Sequence, residues 1–75
     1  MKIIADNITE KIQNFLQDVE TNIDLNDKHW HIKLLEIAFK NEIDITSIKR
    51  VDDNTTEFIA TVMPFKFTLS KEENT

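Results

Sequence analysis

Apolar residues repeat at helical spacing in the first third of the chain, beginning at Ile8. Their offsets of i, i+4, i+7, i+8, i+11 and i+15 predict an amphipathic helix with one buried face. Asn7 is followed three residues later by Glu10, a pattern typical of a capping box, so we expect the helix to begin at Asn7. The predicted buried stripe comprises Ile8, Ile12, Phe15, Leu16, Val19 and Ile23.

The spacing of apolar residues in 26–41 predicts a second helix, which is apolar on two sides. One stripe comprises Trp30, Leu34, Ile37 and Ala38. A second stripe, nearly opposite at about 100° per residue, comprises Ile32, Leu35 and Phe39. The short link 21–27 is rich in Asn and Asp, so the helices should be antiparallel neighbours, with Asn26 or Asp27 as the cap of the second. The first stripe then faces the first helix, and the second stripe requires another cover.

Beyond the second helix the apolar period changes to about two, which is the pattern of β-strands. We expect strands at 48–52 and 56–63, joined by a turn at 53–55. Apolar positions are even before Pro64 and odd after it, so the second strand should continue through a bulge or bend at Met63–Pro64. The bend would bring one apolar face together from Phe58, Ala60, Val62, Phe65, Phe67 and Leu69. That face is the expected cover for the second helical stripe.

The predicted fold is α+β, an antiparallel helical hairpin packed on a small antiparallel β-sheet in the order ααββ. Residues 1–70 would form a single small globular domain, followed by a disordered, charged tail at 71–75. The pattern leaves residues 1–5 open between a frayed helical turn and a strand. Because two strands alone make a marginal sheet, we expect either a third strand from residues 1–5 or strand pairing across a two-fold homodimer, and we favour the homodimer.

Charge narrows the range of partners. The chain carries nine Lys and Arg against fourteen Asp and Glu, a net charge of −5. This acidity makes nucleic acid and anionic membranes unlikely partners and favours another protein with a basic surface. The amino-terminal residues lack the pattern of a secretion signal, and no apolar stretch is long enough to span a membrane. We therefore expect a cytoplasmic protein, and the absence of cysteine is compatible with that compartment.

His29-Trp30-His31 is the most conspicuous motif in the chain. Two histidines at i and i+2 of a helix point about 200° apart, so they cannot chelate one metal ion. We expect neither a metal nor a cofactor. His31 is interpreted as partly buried and hydrogen-bonded to Asp27, with a pH-sensitive or partner-contacting role as the alternative. Trp30 is interpreted as an anchor of the core, with an interface anchor as the alternative.

The sequence offers little support for catalysis. It has no Cys, no Tyr, no Gly-rich loop and no spacing of nucleophile, base and orienting residue that suggests an active site. We predict that the protein is not an enzyme and has no catalytic residues. It would act instead by binding another protein stoichiometrically, as a small acidic regulator or inhibitor. The abundance of Ile, Lys and Asn is typical of AT-rich genomes and compatible with a phage or mobile-element origin.

The expected contact surface is the acidic outer side of the first helix. It comprises Glu10, Gln13, Gln17, Asp18 and Glu20. Two other classes of function remain open. One is a nucleic-acid-associated subunit that uses Lys49, Arg50 and Lys66, and the other is a structural or assembly component that works through its own oligomer.

Overall fold

The computed structural model describes residues 1–61 and 64–71, which form two helices and four strands. The elements are β1 (Lys2–Ala5), α1 (Glu10–Asn22), α2 (Trp30–Lys40), β2 (Ile45–Arg50), β3 (Thr55–Ala60) and β4 (Phe65–Ser70). The strands form one antiparallel sheet in the order β1-β4-β3-β2. The α+β class and the antiparallel sheet are therefore confirmed. The order ααββ is wrong, because a strand precedes the helices and the sheet has four strands.

The amino-terminal residues form β1, an edge strand that pairs with β4. The pairing continues past the strand, since the Asp6 N–H donates to the Lys66 carbonyl at 3.0 Å and the Lys66 N–H donates to Asp6 Oδ1 at 2.8 Å. The sheet thus reaches four strands within one chain. This removes the reason for expecting strand pairing across a homodimer, although the homodimer itself stays a prediction.

A hairpin takes the place of the predicted long strand bent at Pro64. β3 and β4 pair antiparallel, with Phe58 opposite Phe67 and Ala60 opposite Phe65. The prediction of one bent strand is wrong because the change of phase marks the step from one strand to the next. Ala60, the last residue of β3, pairs with Phe65, the first residue of β4, so paired positions have opposite parity. Phe58, Ala60, Phe65, Phe67 and Leu69 do share one face, as expected. Val62 and Met63, where the predicted strand ends, lie outside the described residues.

Helix α1 begins two residues later than the sequence suggested. Thr9 is the N-cap, and its Oγ1 accepts a hydrogen bond from the Ile12 N–H at 3.3 Å. The capping box at Asn7 is therefore wrong. Ile8 precedes the helix and is 62% exposed, so it does not belong to the buried stripe.

The link between the helices is built from local side-chain turns. Asp24 Oδ1 accepts from the Asn26 N–H at 2.9 Å, and Asp27 Oδ1 accepts from the His29 N–H at 3.0 Å. These bonds are the Asx turns that Asp favours. They carry the chain to Trp30, so the predicted caps at Asn26 and Asp27 are wrong, and no side-chain hydrogen bond caps α2 at its N-cap, His29.

At its other end, α2 closes with a tight reversal around Glu42, whose φ is +59°. The Ile43 N–H donates to the Ala38 carbonyl at 2.8 Å, and the Glu42 N–H donates to the Phe39 carbonyl at 3.1 Å. This is the Schellman arrangement, which normally places glycine at the left-handed position. The chain has no glycine, and a side chain there costs about 1–2 kcal/mol. The reversal buries Ile43 and leads the chain into β2.

Both helices pack on one face of the sheet through a cluster of aromatic rings. Phe58 and Phe67 stack across β3 and β4 with ring centroids 4.8 Å apart. Phe15 of α1 meets Phe67 edge-on at 5.5 Å, and Trp30 of α2 meets Phe58 edge-on at 6.0 Å. The buried core comprises Ile12, Phe15, Val19, Ile23, Leu34, Ile37, Ala38, Ile43, Phe58, Ala60, Phe65, Phe67 and Leu69.

Replacing Phe67 by Ala should cost most of the stability of the domain. Phe67 is 0% exposed and contacts three other rings, so the cavity left behind costs about 3–5 kcal/mol. Phe39→Ala is the matched control, because Phe39 is 86% exposed and should change the free energy of unfolding by about 0.5 kcal/mol or less. Urea denaturation followed by circular dichroism measures both. Equal destabilisation by the two substitutions would contradict this packing.

The cap of α1 gives a second comparison. Thr9→Ala removes the acceptor for the Ile12 N–H and should lower the free energy of unfolding by about 1 kcal/mol. Asn7→Ala, the residue that the sequence pattern favoured, should have an effect within about 0.5 kcal/mol. Thermal melts of the two variants, fitted with the wild type, distinguish them. A larger loss from Asn7→Ala would place the start of the helix at Asn7.

Candidate functional site

The predicted contact residues on α1 do not all have the same surroundings. Four of them are exposed on the side of α1 that faces away from the core, and we call them the α1 outer face: Glu10, Gln13, Gln17 and Glu20. Their side chains form no hydrogen bond or ion pair with the described residues. This face is available to a partner.

Asp18 lies instead at the junction between the helices. The Asn41 Nδ2 donates to Asp18 Oδ2 at 3.0 Å and also to the Ile37 carbonyl at 2.9 Å. Lys11 of α1 and Glu42, which follows the end of α2, form an exposed ion pair of 3.3 Å. This pair contributes about 1 kcal/mol at most to stability. Asp18 is half-buried, and its carboxylate helps to hold α1 against the end of α2.

The second apolar stripe of α2 is exposed, which corrects the expectation that the strands cover it. Ile32 is 60% exposed, Leu35 44% and Phe39 86%, and we call these three the α2 outer stripe. The sheet and α1 both meet the opposite side of the helix, where Leu34 and Ile37 are buried. A domain with one helical layer and one sheet has a single interior, so only one side of α2 can be buried.

The spacing of the α2 outer stripe makes it a continuous apolar surface. Residues at i, i+3 and i+7 lie along one side of a helix, so Leu35 falls between Ile32 and Phe39. Isolated apolar residues are common on protein surfaces, but contiguous ones mark interaction sites. The exposure of this stripe could have been predicted from the sequence, because a helix with two apolar stripes in a two-layer domain has to expose one of them.

The cations proposed for nucleic-acid binding are divided between the two faces of the sheet. Lys49 lies opposite Glu57 and Arg50 lies opposite Thr56 in the β2–β3 pairing. Lys66 lies opposite Ile59, which shares a face with Glu57. Cross-strand partners point to the same face, so Lys49 and Lys66 are on the open face and Arg50 is on the face that the helices cover. The three residues do not form one basic spot.

The His-Trp-His motif forms the start of α2. The rings of Trp30 and His31 stack with centroids 3.6 Å apart, and Trp30 packs edge-on against Phe58 in the core. Its contact with Phe58 supports the interpretation of Trp30 as a core anchor. His31 is exposed rather than partly buried, and Asp27 bonds to the His29 N–H instead of to His31. The predicted environment of His31 is therefore wrong.

Within residues 1–61 and 64–71, no group of three or more His, Asp or Glu side chains is arranged to hold a metal ion. Neither of the described helices has the length and hydropathy that crossing a bilayer would require.

The comparisons with known proteins gave no relative from which a role could be transferred. No protein-family model matches the chain, and neither the curated proteins nor the solved structures contain a significant match.

Proposed function

We propose that this protein is a small non-enzymatic regulator or inhibitor that binds another protein stoichiometrically. The observation that carries the proposal is the exposure of the α2 outer stripe, three large apolar side chains in line on one helix face. An amphipathic helix commonly presents such a stripe to an apolar groove or surface of a partner. We further propose a cytoplasmic site of action and a phage or mobile-element origin, which the composition supports.

The magnitudes indicate that the stripe does not act alone. Burying one large apolar side chain completely contributes about 1.5–3 kcal/mol, and the three residues are already partly covered. Association costs at least about 4 kcal/mol in lost translational and rotational freedom. The stripe therefore roughly offsets the cost of association, and specific binding needs additional contacts.

The α1 outer face can supply those contacts. Glu10 and Glu20 are exposed carboxylates on the neighbouring helix, within a chain whose net charge is −5. A partner with an apolar groove and a basic rim would complement both surfaces, and the charges would increase the association rate. The nucleic-acid alternative has less support than protein binding, because Lys49 and Arg50 lie on opposite faces of the sheet.

A photo-crosslinking residue at position 39 tests the proposal directly. p-Benzoylphenylalanine in place of Phe39 should capture one partner protein in host cells, whereas the same residue in place of Lys49 should not. Titration calorimetry with that purified partner should then give a fixed stoichiometry. Phe39→Ala should weaken binding at least about tenfold, because an aromatic anchor buried at an interface contributes about 2 kcal/mol or more.

Charge variants and a matched control complete the test. Glu10→Lys combined with Glu20→Lys should weaken binding and reduce its dependence on salt, whereas Ser47→Lys, which adds a positive charge on the open sheet face, should have a much smaller effect. Unaltered affinity in Phe39→Ala would contradict a role for the α2 outer stripe. Crosslinks only between copies of this chain would favour the oligomeric assembly component instead.

A further inference from the structure

The helical layer leaves one end of the covered sheet face open. Trp30, the first residue of α2, lies against Phe58. Past Phe58 the next cross-strand row consists of Arg50, Thr56 and Leu69. Leu69 of this row is buried in the core, whereas Thr56 is half-buried and Arg50 is exposed. The covered face is therefore open on the β2 side of this row.

This row forms the floor of a cleft of about 400 Å³. The cleft is bounded by Trp30 and His31 at the start of α2, by Leu25 in the helix–helix link, and by Ile48 and Arg50 of β2. Ile48 lies on the covered face, opposite Phe58, yet it is 44% exposed. A volume near the lower end of the range for ligand pockets suits a single ring with a short polar extension.

Positive charge collects at this cleft although the chain as a whole is acidic. Arg50 and Lys71 line it, and among the described residues that line the cleft Asp53 is the single carboxylate. Asp53 Oδ1 is 4.0 Å from Arg50 Nη2, and both side chains are highly exposed, so this pair is weak. The first residues of α2, Trp30 and His31, border the cleft, and this helix end, which has no side-chain cap, adds a partial positive charge.

We propose that the cleft binds an aromatic group that carries a carboxylate. The ring packs between the indole of Trp30 and the aliphatic side chain of Ile48, and the carboxylate pairs with the guanidinium of Arg50. Aromatic and aliphatic walls favour a flat apolar group, and the planar fork of an arginine matches a carboxylate in two-point contact. The carboxylate can belong to a free aromatic acid or to the carboxyl terminus of a peptide that ends in an aromatic residue. This site uses no residue of the α2 outer stripe and is independent of the proposed function.

The test is a titration of the full chain with 3-phenylpropionate at neutral pH and physiological ionic strength. Trp30 is the only tryptophan, so its fluorescence reports occupancy of the cleft, and amide chemical shifts of Ile48 and Thr56 locate the site. We expect a saturable change with a dissociation constant of about 1 mM or tighter, as for a small ligand of this size. The neutral analogue 3-phenylpropionamide should bind at least about fivefold more weakly, because it lacks the charge that pairs with arginine.

Two neighbouring residues provide matched variants. Arg50→Gln should weaken binding of 3-phenylpropionate at least about fivefold, whereas Lys49→Gln, which removes the same charge from the opposite sheet face, should leave binding unchanged. Both side chains are exposed, and thermal melts verify that both variants fold. Lys71→Gln is a further variant at the rim of the cleft and should weaken binding to a smaller degree.

A short peptide ending in phenylalanine, compared with its amidated form, identifies the source of the carboxylate. Tighter binding of the free-acid peptide than of 3-phenylpropionate assigns the site to peptide carboxyl termini, and the reverse order assigns it to free aromatic acids. Three results would overturn the proposal: no saturable change at tens of millimolar ligand, equal binding of the amide, or equal effects of Arg50→Gln and Lys49→Gln. Loss of partner binding in Phe39→Ala with unchanged binding of 3-phenylpropionate would separate the two surfaces.

Discussion

The contact of Phe15 with the aromatic rings of the sheet holds the two layers of this protein together. Phe15 meets Phe65 and Phe67 edge-on, and Phe67 in turn stacks on Phe58. The chain has no cysteine to form a disulfide, and its described residues contain no group that could hold a metal ion. So small a domain therefore has neither of the usual cross-links of small folds. Burial of this aromatic cluster and of the aliphatic side chains around it therefore has to stabilise the domain, and both helices lie on the face of the sheet that the rings occupy.

A single interior also explains where the two candidate surfaces come from. Helix α2 buries the side that carries Leu34 and Ile37 against the sheet and α1, which turns the α2 outer stripe to solvent. The same helix starts only at Trp30, after a link shaped by Asx turns, and leaves the end of β2 uncovered. The α2 outer stripe is therefore exposed because the other side of α2 is buried, and the cleft lies beside the residue at which α2 begins.

Local periodicity in the sequence was sufficient to predict both helices, the change to strands and the shared apolar face of Phe58 and Phe67. Features that depend on distant parts of the chain were not predictable in this way. Residues 1–5 contain too few alternating positions to identify a strand, and β1 forms because β4 offers it an edge. Likewise, a phase change near Pro64 looks the same for a bulge and a turn, since both shift the parity of apolar positions.

The candidate surface on α1 was predictable in part, for the same physical reason. The exposure of Glu10, Gln17 and Glu20 follows from the phase of one helix. The bond of Asp18 to Asn41 depends on the packing of two helices, which no single-helix pattern contains. The exposure of the α2 outer stripe depends on the number of layers, and the separation of Lys49 from Arg50 depends on strand register.

Net charge and local charge lead to different expectations here because they act over different distances. A protein partner approaches the whole molecule, so its association responds to the net charge of −5 and to the α1 outer face. A small anion inside the cleft lies next to Arg50, while exposed charges farther away than about 8 Å are largely screened at physiological ionic strength. An acidic chain can therefore attract a basic protein on one surface and hold a carboxylate on another.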